Sequence, residues 1–153
     1  MARVAVRIAF LLSLLASGCH TPELSPVDIT GPGWVTQHGQ AIWHARPGAP
    51  ELAGELLFAT NQLGDFVLSF SKPPMDLVLA RRVGETWTIE FPAERRRFGG
   101  HGAATQRLLW LHLPGALAGR PLRTPLQFES DAGGGWRLAN ARTGETLEGY
   151  LAP

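Results

Sequence analysis

Cysteine is almost absent from this chain: Cys19 is the only one in 153 residues. A lone cysteine excludes a disulfide within the chain and any cysteine-rich metal site, so hydrophobic burial has to hold whatever domain forms. Long apolar runs are missing too. The main one, Ile8-Ala-Phe-Leu-Leu-Ser-Leu-Leu15, is too short for a hydrocarbon core of roughly 30 Å, which takes about 20 apolar residues as a helix. Charge of one sign is equally scarce, with 14 basic residues against 13 acidic. Such a balance lacks the concentrated basic face that nucleic acid requires, and nucleic acid is not an expected partner.

What is present begins with the order of the first residues. Arg3 and Arg7 flank the apolar run, and Ala16-Ser17-Gly18-Cys19 follows it. A positive flank, a short apolar stretch and small residues before a cleavage point make up a secretory signal. Ala-Ser-Gly-Cys resembles the bacterial lipobox, although Ala16 stands where leucine is commoner and Leu15 lies one place earlier. The resemblance implies cleavage after residue 18, lipid on the Cys19 sulfur and acylation of the new amine. Several acyl chains anchor a protein stably where one gives only marginal binding. The expectation is a signal at 1–18 and a lipid-anchored mature chain. Losing Arg3 and Arg7 turns the formal charge from +1 to −1.

Residues 19–32, rich in Pro, Thr, Ser and Gly, read as a tether. From 33 to 153 the texture is that of one β domain. Short alternating runs at 34–43, 52–60, 65–71, 77–82, 86–91 and 95–98 are separated by turn signals such as Asn61-Gln-Leu-Gly-Asp65 and Val83-Gly84-Glu85. Trp87, Ile89 and Phe91 alternate with Thr88 and Glu90, as on a half-buried strand. Lys72-Pro-Pro-Met-Asp76 reads as an interruption, since proline cannot donate to a ladder. Thr105 is placed to cap a helix over 106–113, although Leu109, Leu111 and Leu113 also fit a period of two. Pro114 suits the first turn of a second short helix through Leu117, which Gly119 ends. Three more β-like runs follow at 125–129, 136–140 and 145–151. The expected fold is mainly β: a strongly curved antiparallel sheet of about nine strands, a partial or closed barrel, with one helical insertion against its concave face.

Signals for catalysis are lacking. His38 and His44 fall on one strand face about 20 Å apart at roughly 3.3 Å per residue, too far to share a metal. No histidines or cysteines have metal-ligand spacing, Ser69 and Ser71 stand in no Gly-x-Ser-x-Gly elbow, and the glycine-rich turns have no strand–helix setting for phosphate. The expectation is a non-enzyme with no cofactor and no metal. Arg95-Arg96-Arg97 reads as a solvated strand edge that discourages edge pairing, with anionic lipid head groups as the alternative contact. The aromatics remain: five Trp in all and six Phe after residue 18. They fill a core or line a hydrocarbon cavity, and Trp43, Phe58, Phe66, Phe70, Trp87 and Trp110 are the cavity candidates.

The order of these features resembles the LolB family of outer-membrane lipoprotein receptors. The points of contact are Cys19, the early strand with Trp43, the 65–71 strand and the Pro-containing loop 72–76. The strand pair around Gly84 and Leu108-Leu-Trp-Leu leading to Gly119-Arg-Pro121 extend them. The resemblance implies an unclosed barrel with a helical lid around an apolar cavity that binds lipoprotein acyl chains. It also implies exchange with a periplasmic carrier protein and a membrane-inserting loop, whose residue here would be Met75. His20 after the cysteine, in place of an aspartate, implies sorting to the periplasmic face of the outer membrane. The chain has only one convincing helical segment where the family has a fuller lid. The alternative function is a lipid-anchored interaction or scaffold module with a filled core, binding a partner along an edge strand or the Arg95–Arg97 face.

Overall fold

The computed structural model describes residues 24–152; Cys19, the signal and the first part of the tether lie outside them. Nine strands form one antiparallel sheet: β1 (Trp34–His44), β2 (Leu52–Asn61), β3 (Phe66–Lys72), β4 (Met75–Val83), β5 (Thr86–Phe91), β6 (Arg96–His101), β7 (Leu126–Ser130), β8 (Gly135–Asn140) and β9 (Thr146–Ala152). Their spatial order is β6-β5-β4-β3-β2-β1-β9-β8-β7. All neighbours but β1 and β9 are consecutive in sequence, which is the meander that short turns dictate. β1 and β9 bring the two ends of the domain together, with Ala41 opposite Gly149 and Trp43 opposite Leu147. β6 and β7 do not pair, so the sheet is an open partial barrel and not a closed one.

Alternation assigns the faces. Gln37, Phe58, Leu68, Ala80, Ile89 and Phe98 stand opposite one another in successive strands, and this is the core-facing row. Its curvature can be gauged from one contact. The Trp43 and Phe91 rings lie 6.0 Å apart, yet β1 and β5 are four strand spacings apart, about 19 Å on a flat sheet. Only a strongly curled sheet brings those rings together.

The chain between β6 and β7 crosses the concave face. It holds a 3-10 turn at Leu109–Leu111 and a helix α1 at Leu113–Leu117. The helix expected over 106–113 does not form as one element. Leu109, Trp110, Leu111 and Leu113 are all buried, and a continuous amphipathic helix would bury only one stripe of that run. A tight turn followed by a new helix with Pro114 in its first turn encloses all four. Gly119, at φ +71°, ends α1 as expected. The Gln106 side-chain amide donates to the Thr124 and Arg123 carbonyls, and the buried Asn140 donates to the Gln106 carbonyl. These bonds clip both ends of the insertion to the end of β8.

The proline interruption is shorter than expected. Lys72 pairs with Met75, so only Pro73 and Pro74 form the turn and Met75 opens β4. The β6 strand likewise continues through Gly99, Gly100 and His101, opposite Thr88, Trp87 and Thr86. Glycines here face a ring: a Cβ at Gly100 would lie 2.6 Å from Trp87 Cζ2, and one at Gly149 would lie 3.0 Å from Trp136 Cζ2. Both glycines stand opposite those tryptophans, and the missing side chain is what lets the indole lie flat on the neighbouring strand.

Candidate functional site: a cleft beneath the helical insertion

The six aromatics singled out from the sequence are all buried in a single core, but they do different things. Trp43, Phe70 and Trp110 pack ring on ring. The Trp110 indole stacks on Phe70 at 4.9 Å and meets Trp43 edge-on at 5.7 Å. Trp110 therefore plugs the concave face from the insertion, and these three form packed core, not the wall of a void. Trp87 lies over Gly100, as described. Phe58 and Phe66, further along the sheet, line a cleft of about 520 Å³ under α1. That volume lies within the roughly 300–1,000 Å³ typical of small-ligand sites.

The cleft has two walls. The sheet supplies Gln37, Phe58, Thr60, Phe66 and Arg82, and the insertion supplies Leu111, Pro114, Leu117 and Leu122. At one end lies the β2–β3 turn. There the Asn61 side-chain oxygen accepts from the Leu63 and Asp65 N–H groups, an arrangement that lets asparagine replace a backbone turn. Asp65 in turn accepts from the Gly84 N–H at 2.7 Å and from the Asn61 side chain at 3.0 Å, joining this turn to the β4–β5 turn. The Arg82 Nε donates to the Gly84 carbonyl at 3.0 Å, which fixes the guanidinium beside the same turn. Arg120, from the loop after α1, completes that end. The His112 Nε2 lies 3.1 Å from the Thr105 carbonyl, which can only accept, so the ring donates there. No acidic side chain lines the cleft. Sequence reasoning found Phe58 and Phe66 but missed both arginines.

A larger open groove, about 1130 Å³, lies on the other face of the sheet. Two rows of side chains floor it: Glu129, Arg137, Glu148, Ile42 and Ala53 in one, Tyr150, Gln40 and Glu55 in the next. The turn with Lys72 and Pro73 and the turn with Asp131 and Gly133 bound its ends. Arg137 lies 3.6 Å from Glu148, and carboxylates outnumber cations. Tyr150 is 47 % exposed.

The remaining sequence candidates are placed apart. Met75 is 55 % exposed at the β3–β4 hairpin. Arg96 and Arg97 stand on the edge strand β6. Arg96 pairs with Glu94 at 2.9 Å and lies over the Phe98 ring, and Arg97 lies 3.5 Å from Glu90. The two histidines of β1 stay separate, and His44 lies 3.4 Å from Glu51. Among the described residues no group of three His, Cys, Asp or Glu side chains could hold a metal ion, and no helix is long and apolar enough to cross a membrane.

Glu145 carried no functional signal in the sequence, where it reads as the first residue of the last β-like run. It is buried at 8 % exposure and accepts from Trp43 Nε1 at 2.9 Å. Burial pushes its carboxyl up to about 7, against the smaller opposing effect of the indole hydrogen bond, because a low-polarity setting disfavours the ionised form. By contrast, the Trp87, Trp110 and Trp136 indole N–H groups have no partner among the described residues.

No protein-family model and no curated protein sequence matches this chain.

Proposed function

We propose that this is a non-enzymatic binding protein, anchored by lipid on Cys19, that takes a hydrocarbon chain into the cleft beneath α1. The observation that carries the reading is the cleft's composition. Phe58 and Phe66 on the sheet and Leu111, Leu117 and Leu122 of the insertion line a partly open cleft of about 520 Å³, together with a few polar side chains such as Gln37, Thr60 and Arg82. Apolar pockets with a few placed polar groups are the common form of small-ligand sites. The lipobox-like Ala16-Ser17-Gly18-Cys19 would hold the protein at a membrane, where acyl chains are the abundant apolar ligand. The LolB-like order of elements adds a destination, the periplasmic face of the outer membrane, and a role in receiving lipoprotein acyl chains from a periplasmic carrier. Because Trp110 fills the centre of the concave face, the cleft suits one chain at its end better than the several chains of a whole lipoprotein anchor.

A second reading rests on the outer groove. Its size, exposed Tyr150 and excess of carboxylates favour an interaction module that docks a partner protein, with the aromatic core as filled support. One experiment separates the two. Full-length protein made in a host with two membranes should move from the membrane to the soluble fraction when Cys19→Ser is introduced. The purified Cys19→Ser protein should then bind a fluorescent acyl probe with micromolar or better affinity, and Leu117→Trp should block it by filling the cleft. Persistence at the membrane would remove the anchoring claim, and failure to take up the probe would remove the ligand claim in favour of the interaction module.

A further inference from the structure

The charge in the cleft has one sign. Arg82, Arg120 and His112 are among the residues that line it, with no Asp or Glu. The Arg82 guanidinium is oriented by its Nε bond to Gly84, and among the described residues its two terminal nitrogens have no acceptor. The Arg120 side chain has no acceptor among them either. Its Nη2 would lie 3.2 Å from a Cβ at Gly64, so it rests over the β2–β3 turn. Arg82 stands opposite Phe66, the first residue after that turn. Both guanidinium groups therefore belong to one end of the cleft. The carboxylate of that turn, Asp65, already accepts from Gly84 and Asn61.

The lining holds two arginines and no carboxylate, and the single carboxylate of the adjoining turn, Asp65, is held by Gly84 and Asn61. The arginines sit at one end of a cleft that also carries Phe58, Phe66 and three leucines, and this makes an amphipathic site. A guanidinium presents planar paired donors that match carboxylate and phosphate oxygens, and such charge-assisted bonds are about twice as strong as neutral ones. A partly enclosed setting strengthens them further. Resting on the acyl-chain reading, we propose that the cleft selects a single-chain anionic amphiphile. Its hydrocarbon would lie against Phe58, Phe66 and the leucines of the insertion, and its carboxylate or phosphate would lie between Arg82 and Arg120. Neutral lipids of the same chain length would lack the second half of the site.

The test compares ligands that share a chain and differ only at the head. Hexadecanoic acid, hexadecyl phosphate and hexadecanol are titrated at pH 8 against the fluorescent acyl probe bound to the delipidated Cys19→Ser protein. Under this proposal at least one anionic ligand displaces the probe about ten-fold more effectively than the alcohol, a ratio equivalent to about 1.4 kcal/mol. Whether the acid or the phosphate leads identifies a fatty acid or a single-chain phosphate lipid as the natural source. Arg82→Gln with Arg120→Gln should bring the anions down to the alcohol's level and leave the alcohol unchanged. Arg82→Lys with Arg120→Lys should restore part of the preference, and circular dichroism confirms that each variant folds. Equal displacement by all three ligands would overturn the head-group proposal and leave the acyl reading standing. Failure of every ligand to displace the probe, or of the probe to bind, would overturn both.

Discussion

Glu145 shows what a single buried group does to the whole domain. Its carboxyl titrates near 7 in the fold and near 4.5 in an unfolded chain. The fold therefore holds the proton more tightly than the unfolded state does. The sign follows from linkage: the contribution is fully present below about pH 4.5 and is lost as pH rises through about 7, because above that the fold must bury a charge. At one pKa unit per 1.36 kcal/mol, the loss is on the order of 3 kcal/mol. Glu145→Gln keeps an oxygen for the Trp43 N–H and carries no charge. Urea unfolding should find the variant more stable than the parent at pH 8 and roughly equal to it at pH 4.5. An offset that is the same at both pH values would refute this account. Nothing local in Ala141-Arg-Thr-Gly-Glu145 announces the burial. It arises because β9 pairs with β1 and brings Trp43 alongside, a contact across 102 residues.

At the scale of elements, most of the sheet was legible. Alternation in 52–60, 65–71 and 86–91, with turn residues at 61–65 and 83–85, gave strands whose observed ends differ by one position at most. Pairing of neighbours followed from short turns. The exceptions have physical causes. The prolines at 73 and 74 fit a two-residue turn, and so shorten the expected interruption to that turn alone. Leu109, Trp110, Leu111 and Leu113 are all buried, with His112 between them partly exposed, so neither a helical nor a strand period describes the run. The cleft was half legible: Phe58 and Phe66 declare themselves by alternation, whereas Arg82 and Arg120 lie far apart in sequence and line one cleft only because the chain after α1 brings Arg120 over the β2–β3 turn. The packing of that insertion rests on Trp110, whose ring touches both Phe70 and Trp43. Trp110→Ala should cost about 3–5 kcal/mol, the range for removing a buried tryptophan, measured by denaturant unfolding. A loss under 1 kcal/mol would mean that the insertion is not anchored to the sheet in solution.

For the whole molecule, the open sheet leaves two concave regions with opposite character. The inner cleft combines aromatic and leucine side chains with two arginines and no carboxylate, and the outer groove is large, open and richer in carboxylates. The meander alone would not have revealed the groove, because its floor needs β1, β9 and β8 side by side, and β1–β9 pairing joins the two ends of the chain. The account stands on the claim that a hydrocarbon chain enters the inner cleft. The most direct measurement is photo-crosslinking of the Cys19→Ser protein with an acyl probe carrying a diazirine near its chain end, followed by peptide mass spectrometry. The account predicts adducts on Phe58, Phe66, Leu111 or Leu117. Adducts confined to the groove around Ile42 and Tyr150, or none above a detergent-competed background, would contradict it.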